Sequence, residues 1–176
     1  YLDLRPSLSE IRRNFRKSYL NIINKKIENK ILIFDGVEKN SKIWSDFKNL
    51  HFAEAKRKTR SDLSWQYQLD NIYKKKALLI YSVHKDEMIA GSFFDISSDE
   101  AYYSVGAYNE LAKKNFLSHH IQNQAIKEFK TKNIKWYFLG KYSPDNISED
   151  KKKEYSISFF KKGFSSNIVN NSLIQI

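Results

Sequence analysis

The stretch ALLIYSVHKDEMIAGSFFDISSDEAYYSVGAY, residues 77–108, decides the fold. Its first part, Ala77 to His84, is almost continuously apolar, the pattern of a strand buried on both faces. Lys85-Asp86-Glu87 turns the chain into a second strand, Met88 to Ile96, and Ser97-Ser98-Asp99-Glu100 turns it again into a third, Tyr102 to Tyr108. Connections this short join neighbouring strands running in opposite directions, so the segment reads as an antiparallel meander. The helix that follows, about Ser118 to Lys132, repeats Ile121, Ala125, Ile126 and Phe129 at helical spacing, and Trp136 to Leu139 is a further strand stopped by Gly140. A strand, a helix and a returning strand make a parallel crossover, so the sheet is mixed and carries helices on both faces.

Outward from this centre, Ile31 to Phe34 is a strand ended by Asp35-Gly36. Ser41 to Arg57 is helical on the spacing of Ile43, Trp44, Phe47 and Leu50. Ser61 caps another helix whose face Leu63, Trp65, Leu69, Ile72 and Tyr73 is expected to be mostly buried, closed by the cations Lys74 to Lys76 at its negative end. At the start of the chain, Ser7-Leu8-Ser9-Glu10 forms a capping box. Leu8, Ile11, Phe15, Tyr19, Ile22, Ile23 and Ile27 extend it into one long amphipathic helix to about residue 28. Its opposite stripe, Arg12, Arg13, Arg16, Lys17 and Lys25, reads better as a solvated face than as a phosphate or membrane site. Lys141 to Lys153 reads as a polar loop, followed by a helix with Ile157, Phe159 and Phe160 that Gly163 ends; Asn167 to Ile176 offers a final strand or hairpin arm. The expected class is α+β: a central mixed sheet with an antiparallel meander, preceded by a long basic helix. The expected division is 1–30 as an amphipathic packing or inter-lobe segment and 31–176 as the domain proper.

With 176 residues, 41% hydrophobic and only two prolines, the chain has core material for one domain and excludes disorder and low complexity. The lack of cysteine removes disulfides, thiolate nucleophiles and thiolate metal sites, and fits a reducing, cytoplasmic compartment. No apolar run is long enough to cross a bilayer. The chain opens on Tyr1 rather than Met, as a processed or trimmed protein would. A net charge of +11 favours polyanionic partners, although only six of the 31 basic residues are arginine and a coding bias toward lysine and asparagine accounts for part of it.

Phosphate-loop, dinucleotide and nucleophile-elbow motifs are absent, and His119-His120 are adjacent on a helix, about 100° apart, so no metal site is expected. Short polar–aromatic patterns at element ends remain. Arg57-Lys58-Thr59-Arg60-Ser61 sets two guanidinium groups before a helix start, either an anion site or a surface turn. Tyr102-Tyr103-Ser104-Val105-Gly106-Ala107 is an aromatic strand with a late glycine that suits a bulge or a close approach. Ser118-His119 puts a hydroxyl and an imidazole at a helix start, where N-capping by Ser118 is the plainer alternative. Phe160-Lys161-Lys162-Gly163-Phe164 brackets lysines with aromatics at a helix end.

The element order resembles the GNAT acyltransferase fold. In this order the motifs resemble the C-terminal half of the FemAB-type peptidyltransferases and FemAB-like acetyltransferases over nearly the whole chain. Leu2-Asp3-Leu4 with Arg12-Arg13 and Lys17-Ser18-Tyr19 is similar to the family's inter-lobe segment. Arg57-x-x-Arg60-Ser61 with Trp65 and Gln68, Tyr103 with Gly106-Ala107, and Ser118-His119 with Gln122 resemble its later motifs. Trp136 to Gly140 and Phe160-Lys161-x-Gly163-Phe164 complete the resemblance, the last being its most specific part. The resemblance implies an amide-forming acyl- or aminoacyl-transferase. Arg57, Arg60, Ser118, Lys141 and Lys161 would bind substrate, and Tyr103 and His119 would line the catalytic centre, with His119 as the base on its ordinary pKa. No cofactor is firmly implied beyond aminoacyl-tRNA or acyl-CoA as the donor cosubstrate. The acceptor would be an amine-bearing small molecule or cell-wall precursor; a second GNAT-like lobe or a homo-oligomer would complete the cleft. The glycine loop that cradles pyrophosphate in CoA-dependent members is missing from 113–119, which reads Lys-Lys-Asn-Phe-Leu-Ser-His. A CoA-dependent N-acetyltransferase and a noncatalytic lobe that docks tRNA are the rival readings.

Overall fold

The computed structural model describes residues 1–38, 40–142, 152–165, 167 and 168. In chain order the elements are β1 (Leu2–Asp3), α1 (Leu8–Arg13), α2 (Lys17–Ile23), β2 (Ile31–Phe34), α3 (Ser41–Ala55), α4 (Asp62–Tyr73), β3 (Ala77–His84), β4 (Glu87–Ile96), β5 (Glu100–Tyr108), α5 (Glu110–Lys114), α6 (Leu117–Thr131), β6 (Trp136–Phe138) and α7 (Lys152–Lys162). The strands form one sheet in the order β1-β6-β5-β4-β3-β2. Every pairing is antiparallel except β5 with β6, the crossover through α5 and α6.

The two faces bury separate cores. Leu78, Ile80 and Phe94 pack with α1, α2, α6 and the end of α7 on one side. Leu79, Tyr81, Phe93 and Val105 pack with α3 and α4 on the other, around Trp44, Phe47 and Trp65. Alternate residues of β3 feed opposite cores, which is why its sequence is apolar without interruption. In α4, Trp65, Leu69 and Ile72 are buried as expected, but Leu63 is 79% exposed. It lies two positions before Trp65, on the opposite side of the helix.

The long first helix is instead two short ones. The capping box is present at Ser7 and Glu10, but α1 ends at Arg13, and α2 begins at Lys17. Phe15 sits in the break, buried against Phe164 at 5.2 Å. The Arg16 N–H, which an unbroken helix would use internally, donates to the Gly163 carbonyl at 2.8 Å. The stripe is also only partly solvated. The Arg12 guanidinium donates to Asn123 Oδ1 on α6 at 2.7 Å, and Arg16 lies 3.8 Å over the Phe159 ring and donates to the Phe159 carbonyl. Arg13, Lys17 and Lys25 are exposed.

Helix α5 is absent from the sequence expectation because five residues carry no periodicity; Asn109 caps it by accepting from Ala112 N–H at 2.9 Å. The expected loop 141–153 and terminal arm 167–176 lie mostly outside the described residues; Asn167 and Ile168 are not in a strand.

Candidate functional site

Strands β5 and β6 part early. They pair only at Glu100 with Trp136, Ala101 with Tyr137 and Tyr102 with Phe138, whereas β4 accompanies β5 from Ala101 to Tyr108. From Tyr103 onward the outer edge of β5 has no strand beside it, and such an edge presents backbone N–H and C=O groups to any ligand. The register of β4 on β5 shifts between Phe93 and Phe94, with Ser104 as the extra residue. A bulge bends its strand and redirects its side chains, and here it sits where the parting begins.

A cavity of about 570 Å³ occupies the opening. Its walls are Tyr103, Ser104, Gly106, Ala107 and Tyr108 of β5, Ser118 at the start of α6, His51 and Glu54 of α3, and Phe160 and Lys161 of α7. Helices from both faces of the sheet therefore meet across one strand edge. The Tyr103 hydroxyl lies over Gly106, where a Cβ would come within 2.0 Å of it, so a bare backbone is required there. That hydroxyl is hydrogen-bonded to Tyr108 and Ser92, and Ser92 Oγ and Tyr108 Oη are 2.5 Å apart. Burial pushes the pKa of Tyr103 up and that of Tyr108 well up, so both remain neutral hydroxyls that donate hydrogen bonds.

Lys161 stands at the junction of this cavity with a second one of about 360 Å³, lined also by Tyr102, Phe138, Gly140, Lys141 and Lys162. Its Nζ donates to the Lys141 carbonyl at 3.3 Å, and burial lowers its pKa. Gly140, at φ +91, makes room: a Cβ there would meet Lys161 Nζ at 2.9 Å. Among the candidates named from sequence, Tyr103, Ser118 and Lys161 thus share one cavity, and Lys141 joins Lys161 in the next. Ser118 is not a cap: α6 begins at Leu117 after Phe116, with no side-chain cap, and Ser118 lines the cavity.

The remaining three candidates lie off its wall. Arg57 is exposed on the turn between α3 and α4. Arg60 is turned inward, its guanidinium carbon 5.9 Å from the Trp65 ring centre. His119 is a packing residue. It is buried among Tyr19, Phe160, Phe116 and Phe164, with ring centres at 4.4, 5.0, 5.8 and 6.1 Å. Desolvation, then the neighbouring His120, lowers its pKa to about 4, which removes the reason for choosing it as a base at neutral pH.

The same burial makes His119 an acid-sensitive element. The unfolded chain binds its proton near pH 6.5, the folded chain only near 4. Between those values the unfolded state holds more protons, so stability falls as pH drops through this window, by about 3 kcal/mol at its lower end. Denaturant unfolding at pH 7 and pH 4.5 measures this, and H119F is expected to reduce the difference, leaving the part due to His51 and His120, whose pKa values burial also lowers.

Two cavity residues escaped sequence reasoning. His51 carries no recognisable motif in the sequence, yet Glu54, one turn further along α3, lines the same cavity. The available signal was this i, i+3 pair, hidden in what reads as the polar face of an ordinary helix. Glu54 is tied to Lys113 of α5 at 2.7 Å. His51 Nδ1 is buried without a hydrogen-bond partner, and burial with the nearby Arg60 charge lowers its pKa. Among the described residues, no group of three or more His, Asp and Glu side chains could hold a metal, and no helix is long and apolar enough to cross a membrane.

Comparison with solved structures gives the architecture its place. FemX superposes with a TM-score of 0.69 at 13% identity, over 93% of this chain and 57% of that one. An aminoglycoside acetyltransferase from an uncultured soil metagenomic sample, in complex with sisomicin, gives 0.61 at 9% identity, over 84% and 96%. A ribosomal-protein-alanine N-acetyltransferase from Brucella melitensis gives 0.52 at 10% identity, over 84% and 99%. This chain has the GNAT fold. The expected mixed sheet with helices on both faces is therefore correct, and the chain spans a little over half the length of FemX. No family model and no curated protein matches it.

Proposed function

We propose that the chain is an acyltransferase that forms an amide, with the activated acyl group lodged beside the free edge of β5. The observation that carries this reading is the parting of β5 and β6 after three residue pairs, with Lys161 and Tyr103 lining one cavity at the opening. An unpaired strand edge can hydrogen-bond an extended donor, and a cation with a neutral hydroxyl can stabilise charge developing on a carbonyl oxygen. The donor is an aminoacyl ester of tRNA and the acceptor an amine on a small molecule or cell-wall precursor. The resemblance to FemAB-type enzymes and the likeness to FemX support this choice. Lys141, Lys161 and Lys162, together around the second cavity, would hold the donor's phosphate groups.

The acetyltransferases among the structural neighbours favour a second reading, with acyl-CoA as donor. Against it stands the 113–119 segment, where no glycine lets the backbone wrap a pyrophosphate. One experiment separates the two. The protein is incubated with charged tRNA bearing radiolabelled amino acids and a cell-wall precursor fraction, while its melting temperature is followed with 1 mM acetyl-CoA. Label transfer into amide product with no thermal protection supports the tRNA donor. Several degrees of protection without transfer would move the donor to acyl-CoA. Neither transfer nor protection would overturn the acyltransferase reading.

A further inference from the structure

We propose that His51 is a neutral hydrogen-bond donor to the acyl carbonyl, presenting Nε2–H to the cavity, and that Arg60 is the positioning residue that keeps Nδ1 bare. The inference rests on the acyl-transfer reading above, and it starts from unpaired atoms. Five side-chain polar atoms among the described residues are buried without a partner, and three of them, His51 Nδ1, Arg60 Nε and Trp65 Nε1, belong to one contact group. The His51 and Trp65 ring centres are 5.2 Å apart, and the Arg60 guanidinium carbon is 5.9 Å from the centre of the same indole.

Guanidinium and indole nitrogens are donors only. A proton on Nδ1 would add a third buried donor to a group that offers it no acceptor, beside a positive charge. A bare lone pair there adds no further donor and is favoured by the nearby Arg60 charge. The neutral imidazole carries one proton, so it resides on Nε2. With Nδ1 buried, His51 still lines the cavity that Tyr103 and Lys161 also line, which leaves Nε2 as the ring nitrogen for the cavity side. The charged and titratable groups around the ring are Arg60 on the turn, Glu54 on its own helix, Lys113 of α5 paired to Glu54, and Tyr103 and Lys161 across the cavity. Burial, and then the Arg60 charge, lowers the pKa of His51, which keeps it a donor rather than a cation at neutral pH.

In the transfer, the amine lone pair forms the new C–N bond and the carbonyl π pair moves to oxygen, which Nε2–H holds. On collapse that pair returns, the bond to the leaving group breaks, and the amine proton passes to the leaving group or water. His51 gains no proton at any step. Arg60, read from sequence as a substrate anchor, acts instead through the histidine.

The test uses the full chain labelled with 15N and long-range 1H–15N spectra of the histidine rings at pH 7. His51 is expected as the Nε2–H tautomer. R60K should preserve it, and R60Q, which supplies a carbonyl acceptor, should let Nδ1–H appear and raise the protonation midpoint toward 6.5. In the transfer assay, H51A should lose about a hundredfold in kcat, the scale of one lost oxyanion donor. H51Q, whose amide N–H reaches the position of Nε2–H, should recover most of that loss. Nδ1–H in the unsubstituted protein overturns the proposal. So does an R60Q spectrum unchanged from it, or an H51Q loss equal to that of H51A. If no donor is turned over, the acyl-transfer reading fails while the tautomer spectra still decide the role of Arg60.

Discussion

On the proposed acyl-transfer reading, K161M is expected to lower amide transfer about a hundredfold while leaving the fold intact, measured as kcat in the charged-tRNA assay together with thermal unfolding. Lys161 contributes its ammonium at the meeting point of the two cavities, where burial already lowers its pKa, so the site holds a cation that solvent does not fully screen. Methionine keeps the length and apolar stem of the side chain but removes the charge and the bond to the Lys141 carbonyl. That bond is long and at the surface, so its loss costs little stability. The expected signature is a fall in kcat with an unchanged melting temperature. A variant that transfers as fast as the parent would remove Lys161 from the site.

G163A is expected to destabilise the protein by about 3 kcal/mol, the upper range for overpacking, read as a lower denaturant midpoint at constant slope. A Cβ at this position would lie 2.1 Å from Tyr19 Cε2 and 2.4 Å from Cζ. A tyrosine can often swing aside, but this one cannot do so cheaply. It is buried, its ring meets His119 at 4.4 Å and Phe164 at 4.9 Å, and its hydroxyl donates to the Phe160 carbonyl at 3.1 Å. The same glycine accepts the Arg16 N–H that defines the break between α1 and α2. Overpacking Gly163 therefore loosens the attachment of α7 to the N-terminal helices, and α7 carries Lys161. Transfer should fall with stability in G163A, whereas K161M separates the two.

The sheet was legible because its signals are local. The bounds of β2 and β3 can be read directly from short apolar runs, and the turns at Lys85-Asp86 and Ser97 to Asp99 lie where polar residues interrupt them. The break in the first helix was not legible, since Phe15 continues the apolar spacing without a gap. Its cause is a backbone acceptor on Gly163, a residue that no window around Phe15 contains. The exposure of Leu63 and the burial of His119 are likewise decided by which side of a helix meets the sheet.

For the site, the aromatic strand and the lysine after Phe160 were visible as motifs, and they meet in one cavity because β5 bulges and β6 ends. His51 and Glu54 were invisible as chemistry: a histidine and a glutamate one turn apart are ordinary on a helix surface until another element closes over them. By itself the sequence determined the meander, the crossover and the positive charge, because alternation, turn residues and formal charge are properties of neighbouring residues. Tertiary structure alone decided that His119 is neutral packing, that Arg60 turns inward, and that His51 faces the opening. Burial and the charges brought close by folding set those properties, and neither can be summed along the chain.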